Sequence, residues 1–170
     1  EALALLGAAA APAVEELVVH GALDADGRKL AIDVLAGARQ PRSVAVLVAA
    51  LDDSDPNVRA AAAEALGLIG GERAVAALLG LLERPSATDR FLRLVALEGL
   101  NRLGAPVPEA RLRAFLGDKI LRHAVIAALG RTGDPAALPS LVSALDDPSR
   151  HVSESAMRAI GELLRDDPSL

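Results

Sequence analysis

The apolar residues of this chain recur at helical spacing in short segments that are separated by turn-forming residues. In residues 42–51, for example, Val44, Leu47, Val48 and Leu51 occupy positions i, i+3, i+4 and i+7, which share one face of a helix. The segments come in pairs, and Asp, Ser and Pro residues lie between the members of a pair. The pattern predicts a series of helical hairpins, each made of a first helix A and a second helix B.

The B segments also repeat in sequence. Residues 57–70 are echoed by residues 121–133, 63 positions later, and residues 27–36, 92–104 and 152–161 belong to the same series. The A segments that precede them span residues 13–23, 42–51, 73–82, 107–116 and 136–145. A hairpin of about 31 residues cannot bury its own apolar face, so neighbouring hairpins must stack. The sequence therefore predicts an all-α solenoid of about five units.

Prolines and glycines mark the ends of the predicted helices. A proline is tolerated in the first turn of a helix, and a glycine favours the left-handed conformation that ends one. We therefore expect helix A to begin at Pro12, Pro41 and Pro135, and helix B to end at Gly70, Gly104 and Gly133.

The predicted units form a single domain over residues 1–170. Their bounds are residues 1–7 (a partial unit), 8–38, 39–70, 71–104, 105–133 and 134–170. Residues 1–7 align with residues 64–70, which end a helix B. Because a solenoid needs a polar cap at its end, we expect the chain to be a fragment of a longer array.

The repeat unit resembles the HEAT repeat, in particular the short bacterial form called PBS-lyase HEAT-like. The resemblance covers essentially the whole chain and is carried by Asp53, Val58-Arg59, Ala62-Ala63, Ala65-Leu66-Gly67 and Ile69-Gly70, followed by Ala74, Leu78 and Leu82. It implies a right-handed α-α superhelix with helix A on the convex side and helix B on the concave side. The turn at residues 83–89 is about three residues longer than the pattern, the turn at Asp118 is about two shorter, and Ser153 replaces the arginine of helix B.

Composition narrows the class of protein. With 52% hydrophobic and 24% charged residues the chain is not a disordered tail, and 1% aromatic residues do not suit a β-sandwich. It has no cysteine, which excludes disulfides, thiolate catalysis and cysteine-based zinc sites and fits a cytoplasmic protein. The net charge of −5 argues against a general nucleic-acid binder. The longest apolar run, residues 2–14, is too short for a membrane span.

One arginine recurs at the start of helix B, as Arg28, Arg59, Arg93 and Arg122. A row of guanidinium groups at helix N-termini could bind anions. Alternatively, each arginine could pair with a turn carboxylate and join adjacent repeats, with Asp53, Asp118 and Asp147 as the acceptors. A paired guanidinium has few donors left for a ligand, and the HEAT-like resemblance implies this structural ladder, so we expect the second arrangement.

No motif in the sequence indicates catalysis, a metal or a cofactor. The acidic clusters 52–55, 146–147 and 166–167 lack the alternating ligands of a calcium loop and are typical of turns. His20, His123 and His151 show no metal-ligand spacing, and there is no Gly-x-Ser-x-Gly elbow. Residues 67–71 are glycine-rich but follow a helix, which indicates a helix stop.

The outward face of helix B carries the candidate binding residues. If Val58, Ala62, Ala65, Leu66 and Ile69 face the core, the groove receives Asn57, Ala60, Ala61, Glu64 and Leu68. The same register predicts an acidic row of Asp33, Glu64 and Glu98 beside an apolar patch of Phe91, Leu94, Val95 and Ile120, with Arg102, His123 and Arg131 nearby. In the alternative register, the insertion before Phe91 turns this patch into the core.

These observations predict a non-enzymatic interaction module that binds a helix or an extended segment of a protein partner in its concave groove. The alternative is an enzyme or enzyme-assisting subunit, since some HEAT-like proteins attach or remove bilins and others act on alkylated DNA bases. A DNA reader needs a basic groove with several aromatic residues, which this sequence does not offer. The expected partner is therefore a protein, with no nucleic acid, membrane or metal.

Overall fold

A computed structural model describes residues 2–20, 23–84 and 89–166 of the chain, and the side chains between residues 9 and 165 within these ranges. All the regular secondary structure of these residues is helical. Between these residues the chain forms α1 (Ala2–His20), α2 (Ala25–Ala38), α3 (Val44–Ala50), α4 (Pro56–Ile69), α5 (Glu72–Glu83), α6 (Arg90–Leu103), α7 (Glu109–Arg113), α8 (Arg122–Gly130), α9 (Leu138–Ser143) and α10 (Arg150–Asp166). Short 3-10 helices precede α3 and flank α9, at Pro41–Ser43, Pro135–Ala137 and Ala144–Asp146. The described residues contain no β-strand, and the all-α prediction is confirmed.

The chain divides into two compact units, Glu1–Leu103 and Gly104–Leu170. Among the described helices, the first unit contains the hairpins α1–α2, α3–α4 and α5–α6, and the second contains α7–α8 and α9–α10. The even-numbered helices are the B helices, and they pack on one another in sequence: α2 on α4 and α4 on α6 in the first unit, and α8 on α10 in the second.

Leucine and isoleucine side chains of α2 to α10 fill the two cores. In the first unit Leu35, Leu66 and Leu97 are fully buried on three successive B helices. In the second unit Leu112 of α7 and Ile126 of α8 are fully buried. Each such side chain contributes about 1.5–3 kcal/mol relative to an exposed one, and with almost no aromatic residues these contacts must supply most of the stability.

Small residues let neighbouring B helices approach very closely. A Cβ atom added to Gly67 of α4 would lie 2.7 Å from the Cα of Gly99 in α6. A Cβ added to Gly130 of α8 would lie 2.5 Å from the Cβ of Ala159 in α10. Both helix pairs therefore cross at a point where a glycine has no room for a side chain.

This close packing corrects part of the predicted groove register. Ala60 and Ala61 in α4 were expected to face the groove, and both are buried, although Ala61 still lines a surface cleft between α2 and α4. Periodicity alone places them on the outer half of the helix. Because the neighbouring B helix lies so near, it covers these short side chains, whereas the longer side chains on the same face reach past it into solvent.

The turns between helices A and B use the expected chemistry. Asp55 caps α4 by accepting hydrogen bonds from the backbone N–H groups of Asn57 and Val58, at 2.8 and 3.3 Å. One aspartate in each of three turns also accepts from the N–H two residues later, at 2.8–2.9 Å, which tightens the turn: Asp53 from Asp55, Asp118 from Ile120, and Asp147 from Ser149.

Proline and glycine positions agree with the prediction except at Pro12 and Gly133. Pro41 and Pro135 lie in the first turn of their 3-10 helices, and Gly70 and Gly104 directly follow α4 and α6 with positive φ angles. Gly133 also has a positive φ angle, but α8 already ends at Gly130, three residues before it. The prediction that a helix begins at Pro12 is wrong, because α1 runs through Pro12 from Ala2 to His20. Residues of high helix propensity on both sides continue the helix across the proline, which removes only one backbone donor.

Candidate protein-binding site

The recurring arginines at the start of the B helices are engaged within the chain. Arg28 donates two hydrogen bonds to the carboxylate of Asp53, at 2.8 and 3.0 Å, and one to the carbonyl of Leu23 at 2.8 Å. Arg122 donates to Asp147 at 2.6 Å and to the carbonyl of Leu116 at 3.0 Å. Each guanidinium thus joins the turn of its own hairpin to the next turn along the chain.

Arg59 and Arg93 form related contacts with different acceptors. Arg59 donates to the backbone carbonyls of Asp53 and Ser54, at 2.9 and 3.1 Å, and to the carboxylate of Asp89 at 3.3 Å. Arg93 donates to the backbone carbonyl of Arg84. Sequence reasoning missed Asp89 as an acceptor. The only signal was an acidic residue directly before α6, the position at which Asp55 precedes α4.

These ion pairs shift the pKa values of their members. The Arg28 guanidinium holds the pKa of the Asp53 carboxyl below its ordinary value, and partial burial opposes this only in part. The hydrogen bond from Arg122 likewise lowers the pKa of Asp147. The carboxylates therefore stay charged to lower pH than free aspartate does, which keeps the pairs intact.

The acidic and apolar residues predicted for the groove meet in one cleft between α4 and α6. This α4–α6 cleft has a volume of about 250 Å³, and its lining comprises Glu64, Phe91, Leu94, Val95, Glu98, Gly99 and Arg102. The side chain of Phe91 is 63% exposed, and Leu94 and Val95 are half-buried. The apolar patch is therefore at the surface, and the alternative register, which puts Phe91 in the core, is not the one that the chain adopts.

The charged residues of the α4–α6 cleft are not used for internal contacts. Within the described part of the chain, Glu64, Glu98 and Arg102 form no salt bridge, and all three are exposed. Arg102 lies over the helix crossing, with its terminal nitrogen 3.7 Å from where a Gly67 Cβ would stand. The cleft thus presents two carboxylates and one guanidinium around an apolar centre.

A second cleft continues this surface on the other side of α4. The α2–α4 cleft has a volume of about 380 Å³ and is lined by Asp33, Ala36, Gly37, Arg39, Ala61, Glu64, Ala65 and Leu68. Glu64 is common to both clefts, so Asp33, Glu64 and Glu98 follow one another across α2, α4 and α6 as the sequence predicts. Asp33 also accepts a hydrogen bond from Lys29 at 2.8 Å, and Lys29 is near enough to interact electrostatically with Glu64 as well.

The remaining predicted binding residues belong to the second unit and do not line these clefts. Ile120 is 51% exposed in the turn before α8, and Arg131 is exposed at the end of that helix. His123 lines a separate cavity of about 570 Å³, which we call the α8–α10 cavity, together with Lys119, Arg122, Asp147, Pro148, Ser149, His151 and Val152. Sequence reasoning did not select Lys119 or Ser149, because only the packing of α8 on α10 brings them near His123.

Two further observations concern the chemistry that the surface can perform. Across residues 2–20, 23–84 and 89–166, no three His, Asp or Glu side chains are grouped so that they could hold a metal ion. The cluster at residues 166–167 lies outside the described side chains. None of the described helices has the length and apolar character that crossing a membrane requires.

Comparison with known families places the fold. The sequence model of the HEAT-repeat family matches residues 11–101 and 109–170 of this chain. The chain belongs to the HEAT-repeat family. The predicted resemblance and the α-solenoid fold class are therefore confirmed. A comparison with curated protein sequences gives no match.

Solved structures of helical-repeat proteins agree with this assignment. A chain from the complex of CpcE and CpcF of phycocyanin lyase from Nostoc sp. PCC7120 is 26% identical and has a TM-score of 0.72 over 91% of this HEAT-repeat chain. The present chain spans 66% of the length of that protein. One engineered protein is 21% identical with a TM-score of 0.61, and the match covers 96% of this chain and 88% of that protein. A second engineered protein is 22% identical with a TM-score of 0.59, and the match covers 95% of this chain and 52% of that protein. These two show the fold alone.

Proposed function

We propose that this HEAT-repeat chain is a non-enzymatic protein-binding module, and that a helical or extended segment of its partner binds along the exposed face of its B helices. The α4–α6 cleft carries this proposal. Phe91 is exposed and lines the cleft together with the carboxylates of Glu64 and Glu98, so the cleft combines an apolar anchor with a charged rim. That combination is typical of protein interfaces.

The size of the cleft favours a side chain of a partner over a small-molecule substrate. Its volume of about 250 Å³ is below the roughly 300–1,000 Å³ of sites that enclose metabolites. One large apolar side chain can contact Phe91, Leu94 and Val95 together. The half-buried positions of Leu94 and Val95 form the floor, and Phe91 stands at the edge.

The charges of the cleft specify the flanks of the partner segment. Glu64 of α4 and Glu98 of α6 both line the cleft, and neither forms a salt bridge with another described residue. A Lys or Arg about one turn from the apolar anchor of the partner can reach them. We therefore expect an amphipathic segment with an apolar residue between basic residues, bound with an affinity that falls as salt increases.

The test compares capture by the wild-type chain with capture by Phe91→Ser, using a cell lysate and mass spectrometry. Phe91 is exposed, so this variant keeps its cooperative melting curve. Val142→Ser in α9 is the matched control, since Val142 is 49% exposed and lies in the other unit. We expect a protein that is retained by wild type and by Val142→Ser and is lost with Phe91→Ser. Equal retention by all three chains would contradict a role for the cleft.

The second candidate is a subunit that assists a bilin lyase. It is favoured by the 26% identity over 91% of this chain to a subunit of the phycocyanin lyase complex. In this case the partner is a second protein subunit, and the pair acts on a bilin. Purification from cells that make bilins, with the absorbance spectrum recorded at each step, separates the two candidates, because only this one predicts bilin absorbance that follows the chain.

A further inference from the structure

The α8–α10 cavity of the second unit has a chemistry opposite to that of the α4–α6 cleft. Three nitrogen-bearing side chains converge on it: Lys119 from the turn before α8, His123 from the first turn of α8, and His151 from the first turn of α10. None of the three forms a salt bridge with another described residue. Their donors are therefore available to a ligand.

The acidic residue of this cavity is already neutralised. Asp147 accepts a hydrogen bond from Arg122 at 2.6 Å and another from the backbone N–H of Ser149 at 2.8 Å. Arg122 and Asp147 thus pair at the wall of the cavity, and the nearby Lys119 ammonium also lowers the pKa of the Asp147 carboxyl. The charge that remains is that of Lys119, although the whole chain carries a net charge of −5.

We propose that the α8–α10 cavity is a binding site for a phosphate monoester group. A tetrahedral phosphate can accept hydrogen bonds from several directions at once, which suits an ammonium, two imidazoles and the nearby Ser149 hydroxyl. The volume of about 570 Å³ is in the range of sites that hold small ligands. Pro148 and Val152 line the same cavity and offer an apolar wall to the organic part of the ester.

This site is independent of the α4–α6 cleft, since no residue is common to the two linings. The phosphate can come from a free metabolite or from a phosphorylated side chain of a protein. The two sources share the chemistry that the cavity recognises, and the experiment separates them.

The test uses the proton NMR signals of the histidine rings in the full chain. The chain has three histidines, two phenylalanines and no Trp or Tyr, so this spectral region is simple. O-phosphoserine is titrated at constant pH and ionic strength, and serine, which lacks the phosphate group, serves as the control probe. We expect saturable shifts of the His123 and His151 signals with O-phosphoserine, no response to serine, and no shift of His20, which lies on α1. Absence of saturation, or an equal shift of His20, overturns the proposal.

Two variants distinguish a built site from general attraction between charges. Lys119→Gln removes a cationic donor that lines the cavity, and we expect it to weaken O-phosphoserine binding about tenfold. Arg150→Gln removes a positive charge next to His151 that does not line the cavity and is 87% exposed as a side chain. We expect Arg150→Gln to bind as wild type does. An equal loss with both variants overturns the site.

A phosphoserine peptide forms the second arm of the experiment. If O-phosphoserine and the peptide bind with similar affinity, the phosphate group itself is what the cavity recognises. If the peptide binds at least tenfold more tightly and Lys119→Gln reduces both, the proposal stands with a protein as the source. Binding of the peptide that is insensitive to Lys119→Gln contradicts it.

Discussion

The α4–α6 helix pair of the first unit and the α8–α10 helix pair of the second share the same packing and ion-pair arrangement but differ in their exposed residues. In both pairs the two B helices cross at a glycine. An arginine at the start of the first helix also pairs with an aspartate that precedes the second helix: Arg59 with Asp89, and Arg122 with Asp147. The exposed residues differ completely. The α4–α6 cleft presents Glu64, Glu98 and Phe91, whereas the α8–α10 cavity presents Lys119 and two histidines.

The charge balance of the two units follows the same division. Residues 1–103 carry 14 acidic and 10 basic side chains, and residues 104–170 carry nine and eight. The repeat requires the buried leucines, the small residues at the helix crossing and the turn aspartates. It places little demand on the outward positions, so these are free to differ between repeats.

The largest expected effects test the shared part of this comparison. Gly67→Ala and Gly130→Ala each force a Cβ into a neighbouring helix at 2.5–2.7 Å, and we expect each to lower the free energy of unfolding by about 1–3 kcal/mol. Gly80→Ala and Gly161→Ala are the controls, because a Cβ there meets nothing within 4 Å. These should stabilise their helices by roughly 0.5–1 kcal/mol. Urea unfolding measures all four. Equal free energies of unfolding for Gly67→Ala and Gly80→Ala would show that α4 and α6 can move apart without loss of stability.

The next effect tests the difference between the two surfaces. Glu64→Gln combined with Glu98→Gln keeps the shape of the α4–α6 cleft and removes its charge, so a basic partner segment should bind about tenfold more weakly and with less dependence on salt. Calorimetry with the captured partner at two salt concentrations measures this. Glu16→Gln combined with Glu162→Gln removes the same charge outside the cleft. A loss of affinity in that control as large as in the cleft variant would mean that net charge, and not the cleft, attracts the partner.

A smaller effect concerns the ion pair that both units possess. Because the folded chain lowers the pKa of Asp53 and Asp147 below the ordinary value of 3.8, the pairs stabilise the fold fully above that pH. This stability is lost as the pH falls below 3.8 and through the lower folded pKa values. Asp53→Asn and Asp147→Asn keep the turn acceptor but remove the charge. In thermal melts between pH 6 and pH 2, we expect each variant to melt a few degrees below wild type at pH 6 and to show a smaller decrease on acidification. Identical pH profiles would exclude a contribution from the pairs.

The smallest effect distinguishes the surface position of Phe91 from a place in the core. Since Phe91 is 63% exposed, Phe91→Ser should change the free energy of unfolding by no more than about 0.5 kcal/mol. Leu97→Ala, six residues further along α6 and fully buried, should lower the free energy of unfolding by about 2–5 kcal/mol. Urea unfolding of the two variants side by side gives the comparison. A loss of several kcal/mol for Phe91→Ser would place it in the core and remove the apolar anchor of the cleft.

Much of the candidate surface was predictable from periodicity. Asp33, Glu64, Phe91 and Glu98 occupy outward positions in the helical register of the repeat, and the structure exposes all four. The prediction failed where the neighbouring helix decides the outcome. Ala60 and Ala61 are outward by the same register, yet they are buried because α6 and α2 approach α4 closely and short side chains cannot reach past them.

The sequence by itself determined the all-α class, the hairpin repeat, the turns and the recurring arginines, because these depend on residues within one hairpin or on a pattern repeated in every hairpin. Only the tertiary structure decided that α1 continues through Pro12, that Arg59 pairs with Asp89, and that Lys119 shares a cavity with His151. The last two pairings join residues about 30 positions apart. Such contacts depend on how one helix packs against the next. The distance between two helices at a glycine crossing depends on both sequences, so the hydrophobic pattern of either helix alone does not predict it.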